Sequence, residues 1–288
     1  MKKIFFAVFA GSLLFSCTER IDLKLDGQEF ARLVVEGYFT TDTTSHKVIL
    51  TQTADYFDNK APEPVTGAQV TISNDIEFYV LTETPAKSGI YVTAPDVSGT
   101  TGRDYKLRIS LDEEIGGTKE FEATSKIYPV NQLDSIALKF QPSWGENGFW
   151  EVQCYVWDPP TEDYYMFLTY VNGRLVNDTI SKVFVVDDLL YNGNYTNGVS
   201  VYWLDQSLSG ETVMTGDTVT LRAARITKEQ WEFTYKLQEE ISYQSPLFSG
   251  PPANVPGNIS NGAFGFFGAY SSSFASAIVK DPDEQKSN

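Results

Sequence analysis

Histidine occurs once in the 288 residues, at His46, and cysteine twice, at Cys17 and Cys154. A Ser-His-Asp triad, a His-rich zinc site or a Cys-His pair would have to draw on these few residues. Positive charge is also scarce. Lys and Arg number 22 against 38 Asp and Glu, a formal net charge of −16. A chain so acidic is a poor ligand for a phosphate backbone, so nucleic acid is not an expected partner. No Gly-rich loop carries the Lys of a phosphate cradle, and Gly99-Thr100-Thr101-Gly102 reads as a turn between strands. No cofactor motif and no internal repeat stand out. The chain does hold 42% hydrophobic and 14% aromatic residues, enough to build packed cores and to exclude a wholly disordered chain.

The one long apolar run is Ile4 to Phe15, broken only by Gly11 and Ser12 and preceded by Lys2 and Lys3. It is shorter than the roughly 20 residues a membrane-spanning helix needs. Residues 1–16 therefore read as a signal peptide, to be set aside in fold reasoning. Leu14-Phe15-Ser16-Cys17 resembles a bacterial lipobox, which implies lipidation of Cys17, a new N-terminus there and anchoring through acyl chains worth about 0.8 kcal/mol per buried CH₂. The residue after the Cys is Thr18 rather than Asp, which favours the outer membrane, on either its periplasmic or its external face. Residues 17–27 read as a linker. With Cys17 lipidated, Cys154 has no disulfide partner, and its place between Val152 and Val156 on one strand face predicts a buried thiol.

The remainder predicts an all-β protein. Short strand-like runs, among them 33–39, 47–51, 68–72, 78–81, 90–92, 105–110 and 121–124, fill residues 28–126. That density is the signature of a β-sandwich, and Val65-Thr66-Gly67-Ala68-Gln69-Val70 resembles the strand entry of transthyretin-like or carboxypeptidase-regulatory modules, which implies an Ig-like or transthyretin-like sandwich. Residues 129–280 predict a larger antiparallel β domain with longer, more aromatic strands. Asn172-Gly173 there marks a tight hairpin. One helix is expected at about 228–243, opened by a Thr227/Gln230 capping box. Trp231, Tyr235 and Gln238, with Phe233, Leu237 and Ile241, should form its packed face. A Pro-rich loop follows at 245–262, and 281–288 reads as a flexible tail.

Candidate sites are few. His46 lies in a polar turn and reads as a surface residue. The acidic groups Asp112-Glu113-Glu114, Glu162-Asp163, Asp187-Asp188 and Glu239-Glu240 read as solvated loops, because adjacency does not place two carboxyl groups across a cleft. Asp187-Asp188 leads into the Asn-, Gly- and Tyr-rich stretch 189–195. Oxygen ligands and glycine there are compatible with Ca²⁺, but the spacing is not that of an EF-hand, so no metal site is assigned. Trp144, Tyr191 and Tyr195 lie in loops, either as satellite core or as contacts for a glycan, peptide or protein partner.

Across nearly the whole chain, the sequence resembles the DUF4249 family of Bacteroidetes lipoproteins. The resemblance rests on the ordered pieces Ser16-Cys17-Thr18-Glu19-Arg20-Ile21-Asp22, Leu33-Val34-Val35-Glu36-Gly37, Val65-Thr66-Gly67-Ala68-Gln69-Val70, Gly89-Ile90-Tyr91, Leu133-Asp134-Ser135-Ile136, Gly257-Asn258-Ile259 and Gly265-Phe266-Phe267-Gly268-Ala269-Tyr270. It implies a noncatalytic outer-membrane lipoprotein that assists or captures substrate for a TonB-dependent receptor. A structural or adhesive envelope protein is the second reading, and a two-carboxylate glycoside hydrolase the third. Asp-Ser/Thr-x patterns similar to O-glycosylation sites of that phylum fall at Thr43, Ser135, Thr179 and Thr218.

Overall fold

The structure is a computed structural model and describes residues 31–54, 61–242 and 255–282. The signal peptide, Cys17, most of the Pro-rich loop and the end of the tail lie outside the described residues. Among these described residues, fifteen strands and one α-helix follow in order. The first seven strands are β1 (Leu33–Thr40), β2 (Lys47–Gln52), β3 (Gln69–Ser73), β4 (Phe78–Glu83), β5 (Ile90–Val92), β6 (Asp104–Ile115) and β7 (Thr118–Lys126). Then come β8 (Ser135–Gln141), β9 (Phe149–Tyr155), β10 (Tyr164–Val171), β11 (Arg174–Leu175), β12 (Phe184–Asp187), β13 (Val199–Asp205) and β14 (Thr218–Ile226). Helix α1 (Lys228–Ser242) and the long β15 (Phe264–Ile278) complete the chain.

Period-two alternation explains the first core. Leu33, Val35 and Phe39 of β1, Tyr105, Leu107 and Ile109 of β6, and Phe121 and Ala123 of β7 are buried in one cluster, while the alternate residues face away from it, Tyr38 of β1 into a second cluster with Tyr270. Strands run in the order β11-β10-β14-β15-β1-β2-β5-β4-β3-β6-β7, with β12 also on β10. The path folds back so that β7 meets β15, where the Ala269 N–H donates to Ser125 Oγ at 2.9 Å.

A second sheet, β13-β9-β8, covers one face of β10 and β14. Tyr165, Phe167 and Val171 of β10 enter that core, and Tyr164, Met166 and Leu168 face the opposite layer beside α1. Burial on both faces is why this strand is apolar or aromatic throughout except at Thr169. The Asn172-Gly173 turn has positive φ at both positions, 49° and 79°, as the two-residue hairpin requires.

Among the described residues β15 is the longest strand. It pairs antiparallel with β14 from Thr218↔Ile278 to Arg225↔Ser271, and parallel with β1 from Val34↔Phe264 to Thr40↔Tyr270. The parallel register depends on Gly265. Its φ is +90°, and a Cβ there would lie 1.9 Å from the Val35 carbonyl oxygen.

Helix α1 begins as its sequence predicts: Thr227 Oγ1 accepts the Gln230 N–H at 3.2 Å. The reciprocal half of the box does not form. The Gln230 side chain is buried against Gly268, and its Oε1 has no partner. Phe233 stacks on Phe266 and Trp231 packs on Tyr164, but Tyr235 and Ile241 are exposed, so the packed face is narrower than expected.

Candidate functional site

Between the two sheets of the second half lies a cavity of about 90 Å³. Leu133, Cys154, Phe167, Phe184, Val201 and Ala223 make its apolar walls. The Cys154 thiol is buried, as its strand position predicts, and burial pushes its pKa up to about 12. That leaves it a packing residue rather than a nucleophile.

Acidic side chains cap the cavity. Three strand ends converge here: Asp158 follows β9, Asp163 precedes β10, and Asp188 follows β12. The pairing Tyr164↔Asp187 joins the last two. All three carboxylates are buried, and one oxygen of each lies within 4.8 Å of the others. This corrects the reading of Glu162-Asp163 and Asp187-Asp188 as solvated pairs. Glu162 is exposed and Asp187 half-buried, but Asp163 and Asp188 turn inward beside Asp158.

The cluster is partly neutralised. The Tyr165 hydroxyl donates to Asp158 Oδ1 at 2.8 Å, and the Gly193 N–H reaches Asp158 Oδ2 at 3.3 Å. Thr161 Oγ1 donates to Asp163 Oδ2 at 3.0 Å, and Arg225 forms an ion pair with Asp163 Oδ1. Burial first, then the Asp188 and Asp163 charges, push Asp158 up to about 6 against its hydrogen bonds. Asp163 also lies above its ordinary value, because burial outweighs the attraction of Arg225. Asp188 Oδ2 is buried without a hydrogen-bond partner.

A spacing under 4.8 Å is tighter than the roughly 5–9.5 Å that glycoside hydrolases use, and the adjoining walls are apolar. The arrangement therefore does not favour the two-carboxylate hydrolase reading. Its chemistry is a set of oxygen donors that could hold a cation.

The three loop aromatics do not share one surface. Tyr191 lines the cavity. Tyr195 packs at 5.3 Å against Trp157, which is 62% exposed. Trp144, 44% exposed, sits in the β8–β9 turn at the other end of the three-stranded sheet, about 20 Å away along a seven-residue strand. Trp157 lies beyond the end of β9 and joins Tyr195 through an isolated antiparallel bridge. The loop between Asp188 and Tyr195 also exposes Leu189 and Leu190, at 80% and 84%.

Thr43, Ser135 and Thr179 are exposed and Thr218 is half-buried at the start of β14. His46 is not a surface residue. It is 4% exposed and packs against Phe39 at 4.5 Å, because the turn folds its ring under the Val97 carbonyl.

These features define an all-β protein with one packed helix, whose second half encloses an apolar cavity beneath buried carboxylates. The chain belongs to the DUF4249 family, described as a domain of unknown function, whose sequence model matches residues 18–274. No curated protein matches it. Membership supports an outer-membrane-associated protein of the Bacteroidetes type. Among the described residues no helix is long and apolar enough to cross a membrane.

Proposed function

We propose that the protein is a noncatalytic, lipid-anchored outer-membrane protein that acts as an accessory or substrate-capture partner of a TonB-dependent receptor. One observation carries the reading: Trp157, Leu189 and Leu190 expose large apolar side chains on segments flanking the carboxylate cluster. Exposed aromatic and aliphatic residues on a rigid β frame suit protein docking. Lipid on Cys17 supplies the anchor, and the family match starting at residue 18 is consistent with a mature chain beginning at that cysteine. Tyr195 supports Trp157, and Tyr191 faces a cavity that would accept only a small apolar group of a glycan or peptide ligand. Trp144, remote from this end, would serve a separate contact. Thr43, Ser135 and Thr179 offer accessible hydroxyls for glycans, Thr218 less so.

The test is recovery of the tagged, lipidated protein from gently solubilised outer membranes, followed by mass spectrometry. Stoichiometric recovery of one TonB-dependent receptor, lost in the Trp157→Ala, Leu189→Ser, Leu190→Ser variant, is the expected result. No receptor from membranes that contain candidates, or recovery unchanged in the variant, overturns the proposal.

A further inference from the structure

We infer that Asp158, Asp163 and Asp188 form a binding site for a single Ca²⁺ ion, which pins the 188–194 loop to the ends of β9 and β10. This rests on the cluster alone and is independent of any receptor partner.

Three observations converge. Charge is the first. Three buried carboxylates face one guanidinium, that of Arg225. Fully ionised, they leave two formal negative charges in a place from which water is largely removed, and such charges are not kept without compensation. A divalent cation supplies that compensation.

The second is an unpartnered oxygen. Asp188 is 4% exposed, and its Oδ2 has no hydrogen-bond partner. Buried polar atoms are almost always satisfied, and a carboxylate oxygen set among other acids is one that a cation satisfies. Asp158 and Asp163 are each oriented by a neighbour, through Tyr165 and Thr161. Metal-binding carboxylates are held in this way.

The third is the donor set. Every side chain offered is a hard oxygen donor, with no His or Cys among them, which selects against zinc and copper. Oxygens within 4.8 Å of one another can be bridged by an ion with bonds of 2.3–2.6 Å, the range of Ca²⁺. Mg²⁺, with bonds near 2.1 Å and rigid octahedral demands, would require the three chain segments to close further. The 188–194 loop is wound tightly around the cluster. Tyr191 and Asn192 N–H groups donate to the Asp188 carbonyl at 2.7 and 2.8 Å, and the Asp158 N–H donates to the Asn194 carbonyl at 3.0 Å.

The experiment uses the full chain in detergent, stripped with EGTA and titrated with CaCl₂ by calorimetry. Tb³⁺ luminescence is read in parallel, sensitised through Tyr165. One equivalent of Ca²⁺ is expected, with Mg²⁺ at least tenfold weaker. Asp188→Asn and Asp158→Asn should each weaken Ca²⁺ at least tenfold and abolish the Tb³⁺ signal. Glu162→Gln, an exposed neighbour outside the cluster, should bind as wild type does. Circular dichroism confirms that each variant is folded. Absence of saturable Ca²⁺ binding by the stripped wild-type protein overturns the inference. So does a folded Asp188→Asn variant that binds Ca²⁺ within twofold of wild type.

Discussion

His46 shows how a single buried ring can be read atom by atom. Its Nδ1 accepts the Thr40 N–H at 3.4 Å, and Nε2 lies 3.1 Å from the Val97 carbonyl oxygen. A carbonyl only accepts, so the proton sits on Nε2 and the ring is neutral. Burial holds its pKa below the usual 6.5, and Arg222 pushes the same way, against the Val97 carbonyl and Asp42. The unfolded imidazole therefore protonates before the folded one. Its contribution to stability is complete above about pH 6.5 and is lost as pH falls toward the folded value, by at most about 1.4 kcal/mol per pH unit. Because the chain has one histidine, an NMR titration of its Hε1 proton reads this site alone. The expected midpoint lies below 6.5, and a midpoint above it would contradict the neutral-ring assignment.

At the scale of elements, β15 is the critical strand. Gly265→Ala places a methyl group against the Val35 carbonyl and in a backbone region that L-residues avoid. The expected loss is about 3 kcal/mol or more, measured by urea denaturation, with the Asn172-Gly173 hairpin left intact. Much of the element map is legible in the sequence. Alternation places β6, the Asn-Gly pair marks its hairpin, and Thr227 sets the start of α1, because each signal is local. The parallel pairing of β1 with β15 is not local: more than 220 residues separate the partners, and a glycine in an aromatic run does not name the carbonyl it will face. The acidic cluster was hidden for the same reason. Asp158, Asp163 and Asp188 stand at three strand ends: the register of β10 with β12 brings Asp163 and Asp188 together, and the Tyr165 hydroxyl of β10 holds Asp158 of the other sheet beside them. A hint was present in Asp158-Pro159-Pro160, where two prolines fix the direction in which the chain leaves β9.

The whole molecule is joined by more than backbone pairing. Arg222 of β14 reaches Asp42, in the β1–β2 turn, at 2.5 Å, bonds Ser272 at 2.8 Å, and lies over the rings of Tyr270 and Phe274. Its side chain is 13% exposed and that of Asp42 28%, so solvent screens the pair only in part. Arg222→Met should cost about 2 kcal/mol, less than breaking a fully buried pair, since methionine refills the space between the rings and Asp42, without its counter-ion, keeps the Thr40 hydroxyl. Asp42→Asn in the same background should add little further loss, because the two changes remove one interaction. A double-mutant cycle in urea measures the coupling, and strictly additive losses would show that the ion pair contributes nothing.

The shared strand also decides how the protein carries mechanical load. β1 and β15 run in the same direction, so tension entering at Leu33 and leaving at Ile278 pulls the two strands past each other. The hydrogen bonds along seven paired positions are then strained together in shear rather than opened one at a time like a zip. A load applied between those two ends would therefore meet a high unfolding barrier and be yielded to slowly, even with an ordinary equilibrium stability.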